Sequence, residues 1–206
     1  MIGVIDYGAG NLCSVRNALA ALGARSETVG SKSGIEAADA LILPGVGEFG
    51  SAMKELSSRG LCAAIKSAAD AGVPLLGICL GMQMLFEESE ESPGVRGLAL
   101  LPGRSARFSD RYALKIPHIG WNSITPLKES RLLRGISAGN YMYFVHSYYV
   151  RCGRREDAAA GASYGDDFDA AAEHGSIFGC QFHPEKSGRE GLLILKNFID
   201  IAERKR

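Results

Sequence analysis

Apolar residues follow two rhythms along this chain, and the change from one to the other divides it. In the first part, short apolar runs alternate with stretches in which apolar positions recur every three or four residues. Ile2–Asp6, Arg25–Val29 and Ala40–Leu43 read as strands, and Asn11–Leu22, Phe49–Leu56 and Leu61–Ala71 as helices. Val73 to Cys79 is a further buried strand, leading into a helix that reaches Glu87. Strands alternating with helices predict a parallel sheet covered on both faces. After Pro93 the rhythm shortens. Leu98–Leu101, Arg104–Phe108, Asn122–Thr125, Tyr141–Val145, Ser147–Val150, Ala158–Ala162, Asp169–Glu173 and Ile177–Phe182 read as short strands between turns, a mixed or partly antiparallel region. Leu192, Leu195 and Ile199 then mark one face of a C-terminal helix, with Ser187 and Glu190 at capping-box spacing before it. The Gly-Asp-Asp stretch near Asp166 reads as a turn, and no repeat, low-complexity segment or linker divides the chain. The expected fold is one α/β domain over residues 1–206: a central, mostly parallel sheet with helices on both faces, plus short antiparallel strands in the C-terminal half.

The 206 residues, 46% hydrophobic and 22% charged, suffice to bury a full core. Lys+Arg and Asp+Glu both number 23, so no net charge draws the chain to nucleic acid. Five scattered cysteines argue for a reducing compartment and against a disulfide framework or a CxxC metal site. No apolar run approaches membrane-span length and the first strand follows no charged leader, so a soluble, cytoplasmic protein is expected.

The densest chemistry lies in Val73-Pro-Leu-Leu-Gly77-Ile-Cys79-Leu80-Gly81-Met-Gln83. A nucleophile at a strand-to-helix elbow of the form Gly-x-Cys-x-Gly is lifted out of the sheet, beside the unpaired N–H groups that open the helix. Those donors and the positive end of the helix dipole favour a thiolate and a developing oxyanion alike. Cys79 is therefore a candidate nucleophile. Cys13, Cys62, Cys152 and Cys180 lack such a setting and are read as small buried apolar side chains.

A base stands far downstream, in Gly179-Cys-Gln-Phe-His183-Pro184-Glu185-Lys186-Ser187. Pro184 cannot lie inside a central strand, so the chain turns there. His183 and Glu185 then sit at the carboxyl end of a strand, and alternate residues of extended chain project to one side. A carboxylate beside a histidine fixes its tautomer and steadies the imidazolium formed when it takes a thiol proton. Alone, the cysteine reads as packing and the His-Pro-Glu triplet as a surface turn. Together, at strand ends of an α/β pattern, they point to a catalytic Cys-His-Glu site. Pro44-Gly45-Val46-Gly47 follows the third strand, where loops of an open α/β sheet line the ligand crevice. It either sets a backbone N–H opposite the elbow, completing an oxyanion hole with the Leu80 N–H, or is an ordinary turn before a helix. Gly8-Ala-Gly10 lacks the third glycine and the acidic residue of a dinucleotide fingerprint.

Gly77-Ile-Cys79-Leu-Gly81-Met-Gln83, the Pro44–Gly47 loop and Gln181-Phe-His183-Pro-Glu185 resemble the class I, or triad, glutamine amidotransferase family, over essentially the whole chain. The resemblance implies the flavodoxin-like three-layer sandwich of that family and no cofactor or metal. It implies attack of Cys79 on the glutamine side-chain amide and an oxyanion held by the Leu80 N–H and the Val46 or Gly47 backbone. His183 is implied as base and acid, and Glu185 as its orienting partner. Gly47, Gln83 and the backbone around Ser147 and Tyr148 are implied to hold glutamine, against plain readings of Gln83 as a solvated helix position and Tyr148 as a packed aromatic. His146 is read as a satisfied structural histidine. Asp6-Tyr-Gly-Ala-Gly10-Asn11-Leu, Pro117-His118-Ile-Gly120-Trp121-Asn122, Tyr143-Phe-Val-His146-Ser147-Tyr148-Tyr149 and Lys186-Ser187 resemble the branch serving imidazole glycerol phosphate synthase. That implies a heterodimer with a cyclase subunit, a (β/α)8 barrel, which takes up the ammonia directly. Asn11, His118, Trp121 and Lys186 are the candidates for the docking face; Trp121 is equally read as a core aromatic. Service to another synthase (anthranilate, aminodeoxychorismate or pyridoxal phosphate), a freestanding cysteine hydrolase and a non-catalytic module are the rival readings.

Overall fold

The computed structural model describes residues 1–203. The first half is built from β1 (Ile2–Ile5), α1 (Leu12–Ala21), β2 (Ser26–Val29), α2 (Lys32–Glu36), β3 (Ala40–Gly45), α3 (Phe49–Ser58), α4 (Leu61–Asp70), β4 (Leu75–Cys79) and α5 (Leu80–Met84). The second half contributes β5 (Glu88–Ser89), β6 (Gly103–Arg107), β7 (His118–Pro126), β8 (Asn140–His146), β9 (Tyr148–Cys152), β10 (Ala158–Tyr164), β11 (Asp166–His174), β12 (Ile177–Cys180) and α6 (Gly188–Glu203). The main sheet runs β2-β1-β3-β4-β12-β11-β10-β7-β8. Its first five strands are parallel, and from β11 onward each strand is antiparallel to its neighbour. The last strand in sequence, β12, thus lies beside β4, with Cys180 in register with Ile78. That pairing brings the two chemistry-bearing stretches together.

Every residue of β1, β3 and β4 is buried, because helices cover both faces; this is why these strands read as unbroken apolar runs. Alternate side chains feed two cores. Ala40 and Ile42 pack on the side of α1 and α6, with Leu19, Leu195 and Phe198. Leu41 and Leu43 pack on the side of α3 and α4, with Phe49, Leu56 and Ile65. Each such large side chain contributes about 1.5–3 kcal/mol by leaving water. α5 is set differently, backbone on backbone: a Cβ at Gly81 would stand 1.8 Å from the Leu43 carbonyl oxygen. Only glycine permits that approach.

The elbow helix ends at Met84, short of Glu87. The carbonyls of Met84, Leu85 and Phe86 accept instead from the N–H groups of Leu98, Leu100 and Ala99. Residues 98–101, expected as a strand, are therefore a loop strapped to the helix end. The short α2 and β5 lacked an apolar period long enough to read. Ser187 forms no capping box. Its hydroxyl donates to the His183 carbonyl at 2.6 Å and accepts from the Tyr143 N–H at 3.0 Å, tying β8 to the turn after β12. Of the four cysteines read as buried, only Cys180 is; Cys13 is exposed, and Cys62 and Cys152 are half-buried. Among the described residues, no helix is long and apolar enough to cross a membrane.

Candidate active site

Cys79 ends β4 and precedes the first turn of α5 with φ +55° and ψ −111°. A non-glycine residue in that region is strained, and the strain holds the side chain out of the line of the strand. Its Sγ lies 3.8 Å from the Val145 carbonyl oxygen, and Gln181 Nε2 donates to it at 3.7 Å. The Leu80 N–H opens α5 beside it, at the positive end of a short helix. β3 ends alongside, Gly45 in register with Cys79, so the loop that follows overhangs the sulfur. In that loop Val46 is exposed and Gly47 has φ +98°, a conformation that favours glycine.

His183 follows β12, its N–H donating to the Tyr143 carbonyl at 2.9 Å. Its Nδ1 stands 2.9 Å from Glu185 Oε1, with the two side chains 2% and 1% exposed. An ionised carboxylate only accepts, so Nδ1 carries the hydrogen and Nε2 is left for the sulfur. Nε2 has no hydrogen-bond partner among the described residues, which suits an atom whose task is to exchange a proton with a ligand. Burial works against the imidazolium, but Cys79 and Glu185 both favour it and prevail, raising the pKa from 6.5 to about 9.

A cavity of about 250 Å³ opens over the sulfur, lined by Val46, Gly47, Leu80, Gln83, Glu91, Pro117, Val145, His146, Ser147, Tyr148 and His183. Its volume, small for a ligand pocket, suits a single amino acid. Gln83 is not solvated. It is 4% exposed, and its Nε2 donates to the Tyr148 carbonyl at 2.9 Å and to Gln181 Oε1 at 3.2 Å. With both its hydrogens engaged, Oε1 is what Gln83 offers a ligand. The Ser147 carbonyl accepts from Phe108 N–H and the Tyr148 carbonyl from Gln83, so this stretch has donors rather than acceptors to give. Two site residues escaped the sequence reading. Glu91 lies in an irregular segment and reaches the cavity because its carboxylate accepts from the Phe49 N–H at 2.8 Å. Burial raises its pKa, and Glu48 nearby adds to the rise. Gln181 stands in the quoted Gln-Phe-His motif, but nothing in its spacing shows that its amide meets Cys79.

The expected docking residues divide. Trp121 is 55% exposed and no core aromatic. It meets Tyr143 edge-on at 6.1 Å, and the Lys186 ammonium lies 5.9 Å from the same ring, so the three form one patch behind His183. Asn11 caps α1, its side chain accepting from the Ser14 N–H. His118 does not belong to this face: it is 3% exposed, because alternation along β7 turns it inward while Ile119 and Trp121 point out. A larger cavity of about 940 Å³, near Pro74, Arg131, Glu173 and Asn197, is lined by no cysteine or histidine, and Glu173 there is already bound to Ser130 and Arg131. Among the described residues, no group of three or more His, Cys, Asp and Glu stands close enough to hold a metal ion.

A cysteine on a strained elbow, a carboxylate-bound histidine and a small cavity thus meet at the carboxyl end of an α/β sheet. The family model described as glutamine amidotransferase class-I matches residues 3–202, and the chain belongs to that family. It is 50% identical to the imidazole glycerol phosphate synthase subunit HisH of Geobacillus kaustophilus, over 98% of this chain and 97% of that one. It is 48% identical to the protein of the same name from Methanothermobacter thermautotrophicus, over 98% of each. A crystal structure of a glutamine amidotransferase superposes with a TM-score of 0.77 at 22% identity, covering 98% of both chains, a likeness of fold.

Proposed function

We propose that this chain is the glutaminase subunit of imidazole glycerol phosphate synthase, and that Cys79, His183 and Glu185 carry the hydrolysis. The observation that carries the reading is the pairing of β12 with β4, which sets a carboxylate-bound imidazole beside a sulfur on a strained elbow. The Cys79 thiolate attacks the side-chain carbonyl carbon of glutamine, and the tetrahedral oxyanion takes the Leu80 N–H and a backbone N–H of Val46 or Gly47. His183 Nε2 gives its proton to the amide nitrogen, and ammonia leaves a glutamyl thioester. His183 then removes a proton from water, which attacks the thioester. The sulfur departs with glutamate as product. Glu185 keeps the hydrogen on Nδ1 throughout. Glu91 supplies the negative partner for the substrate's ammonium group, and the donors of Ser147 and Tyr148 face its carboxylate.

In neutral water free ammonia is protonated and loses its nucleophilicity, so a partner must accept it at source. The cyclase, a (β/α)8 barrel, would dock on the face bearing Asn11, Trp121 and Lys186 and convert the ammonia and its nucleotide substrate into imidazole glycerol phosphate and an aminoimidazole carboxamide ribonucleotide. Exposed aromatic anchors such as Trp121 suit that task. The test is glutamate release by the chain alone and with substrate-loaded cyclase. A rise on adding the cyclase is expected; equal rates, or no complex between the two, reject the assignment.

A further inference from the structure

A pair of histidines, unused by the steps above, lies beneath the outer face of β7. His118 opens β7, His146 closes β8, and the two oppose each other in the antiparallel register. Both are buried in a box of rings: Tyr164 and Phe144 stack on His118 at 4.1 and 5.1 Å, and Phe108 and Phe168 flank His146 at 5.1 and 5.3 Å.

Donor accounting fixes the protons. The Tyr148 carbonyl only accepts, so His146 Nδ1, 2.9 Å away, carries a hydrogen. In the neutral ring His146 Nε2 is then a lone pair, and His118 Nδ1, facing it at 3.0 Å, must be the donor. Burial keeps both rings neutral, lowering His118 to about 4 and His146 to about 3. The Tyr148 carbonyl also accepts from Gln83 Nε2 at 2.9 Å. Gln83 donates to Gln181 Oε1 at 3.2 Å, and Gln181 Nε2 reaches Cys79 Sγ at 3.7 Å. Each donor has one assigned acceptor, and two of them, His146 and Gln83, converge on the Tyr148 carbonyl. If His146 moved its hydrogen to Nε2, a lone pair would face the Tyr148 carbonyl and repel the oxygen that also accepts from Gln83.

We propose that His118 and His146 are positioning residues: their locked tautomers hold the Tyr148 carbonyl, and through it the Gln83 amide and the glutamine-binding stretch, in the orientation the substrate needs. The inference rests on the glutaminase reading of the site. His118 acts through His146: the Tyr148 carbonyl sets the His146 tautomer, and the His118 donor at Nε2 holds that ring against the carbonyl, neither ring exchanging a proton during turnover.

Two substitutions separate hydrogen bonding from packing. His118→Phe keeps a stacking ring and loses the donor; His118→Asn keeps a donor near the Nδ1 position and loses the ring. In the intact chain, ring-nitrogen NMR is expected to show hydrogen on Nδ1 of both histidines, and in His118→Phe the His146 Nε2 signal is expected to move to that of a lone pair without a donor. With cyclase bound, His118→Phe is expected to raise the KM for glutamine by about tenfold while kcat changes by less than about threefold, as for loss of one hydrogen bond in a binding surface. His118→Asn is expected to restore the KM to within about threefold of the parent, although its melting temperature falls. A packing role predicts the reverse order, and that order overturns the proposal, as does hydrogen on Nε2 of either ring in the parent. If the parent releases no glutamate, the glutaminase reading fails separately. The histidine pair is then decided by iodoacetamide labelling of Cys79, followed on its peptide: a changed rate in His118→Phe supports it, and equal rates reject it.

Discussion

The parallel and antiparallel halves of the sheet position their functional groups by different means. On the parallel side, backbone does the placing: Cys79 is held at φ +55°, and α5 rests against β3 with no side chain between Gly81 and the Leu43 carbonyl. On the antiparallel side, side-chain hydrogen bonds do it. His118 donates to His146, His146 and Gln83 of α5 both donate to the Tyr148 carbonyl, and Ser187 ties β8 to the turn that carries His183. Placement by backbone needs glycines and strain at fixed spacing and so leaves a motif. Placement by side-chain hydrogen bonds draws on residues far apart in sequence and leaves almost none.

The contrast can be broken at either end. Cys79→Ala removes the nucleophile, and glutaminase activity is expected to fall on the order of 10⁴-fold or more, measured as glutamate release with cyclase present. Glu185→Gln keeps the shape but no longer fixes the His183 tautomer or balances its charge, and a loss on the order of 10³-fold is expected. Undiminished turnover in either variant would remove the triad from the mechanism. Gly81→Ala probes the backbone device: with a Cβ placed 1.8 Å from the Leu43 oxygen, the elbow must shift. A destabilisation of about 3 kcal/mol is expected in denaturant unfolding, together with reduced activity. An unchanged midpoint would show that α5 does not rest on β3 as described.

The smallest effect is on pH dependence, and its sign follows from His183. The folded pKa is raised, from 6.5 to about 9, with Cys79 and Glu185 favouring the charged ring against burial. The stabilisation is therefore fully present below about pH 6.5 and is lost as the pH rises through about 9. Melting temperatures followed from pH 6 to 10 are expected to fall more steeply in the parent than in Cys79→Ala, which lacks one of the two partners. Parallel curves would mean that the sulfur does not hold the imidazolium.

Much of the site was legible because its chemistry is local. Cys79 declares itself through Gly77 and Gly81, which an elbow packed against a sheet requires, and His183 with Glu185 through a proline that ends a strand. Trp121 was readable as an interface anchor only in part, since a lone tryptophan is as often core; alternation along β7 decides for the surface. The same alternation turns His118 inward, against its expected place on the docking face. Glu91 carries no motif, and it reaches the cavity only because the α3 N-terminus takes its carboxylate.

By itself, the sequence determined the strands and longer helices of the parallel half, the elbow cysteine and the histidine–carboxylate pair, because each is set by bonds and sterics within a few residues. Tertiary structure alone decided that β12 pairs with β4, that the elbow helix stops at Met84, and that His146 and Gln83 meet at the Tyr148 carbonyl. Those outcomes depend on which distant donors and acceptors meet once the sheet has closed, and no local spacing records that.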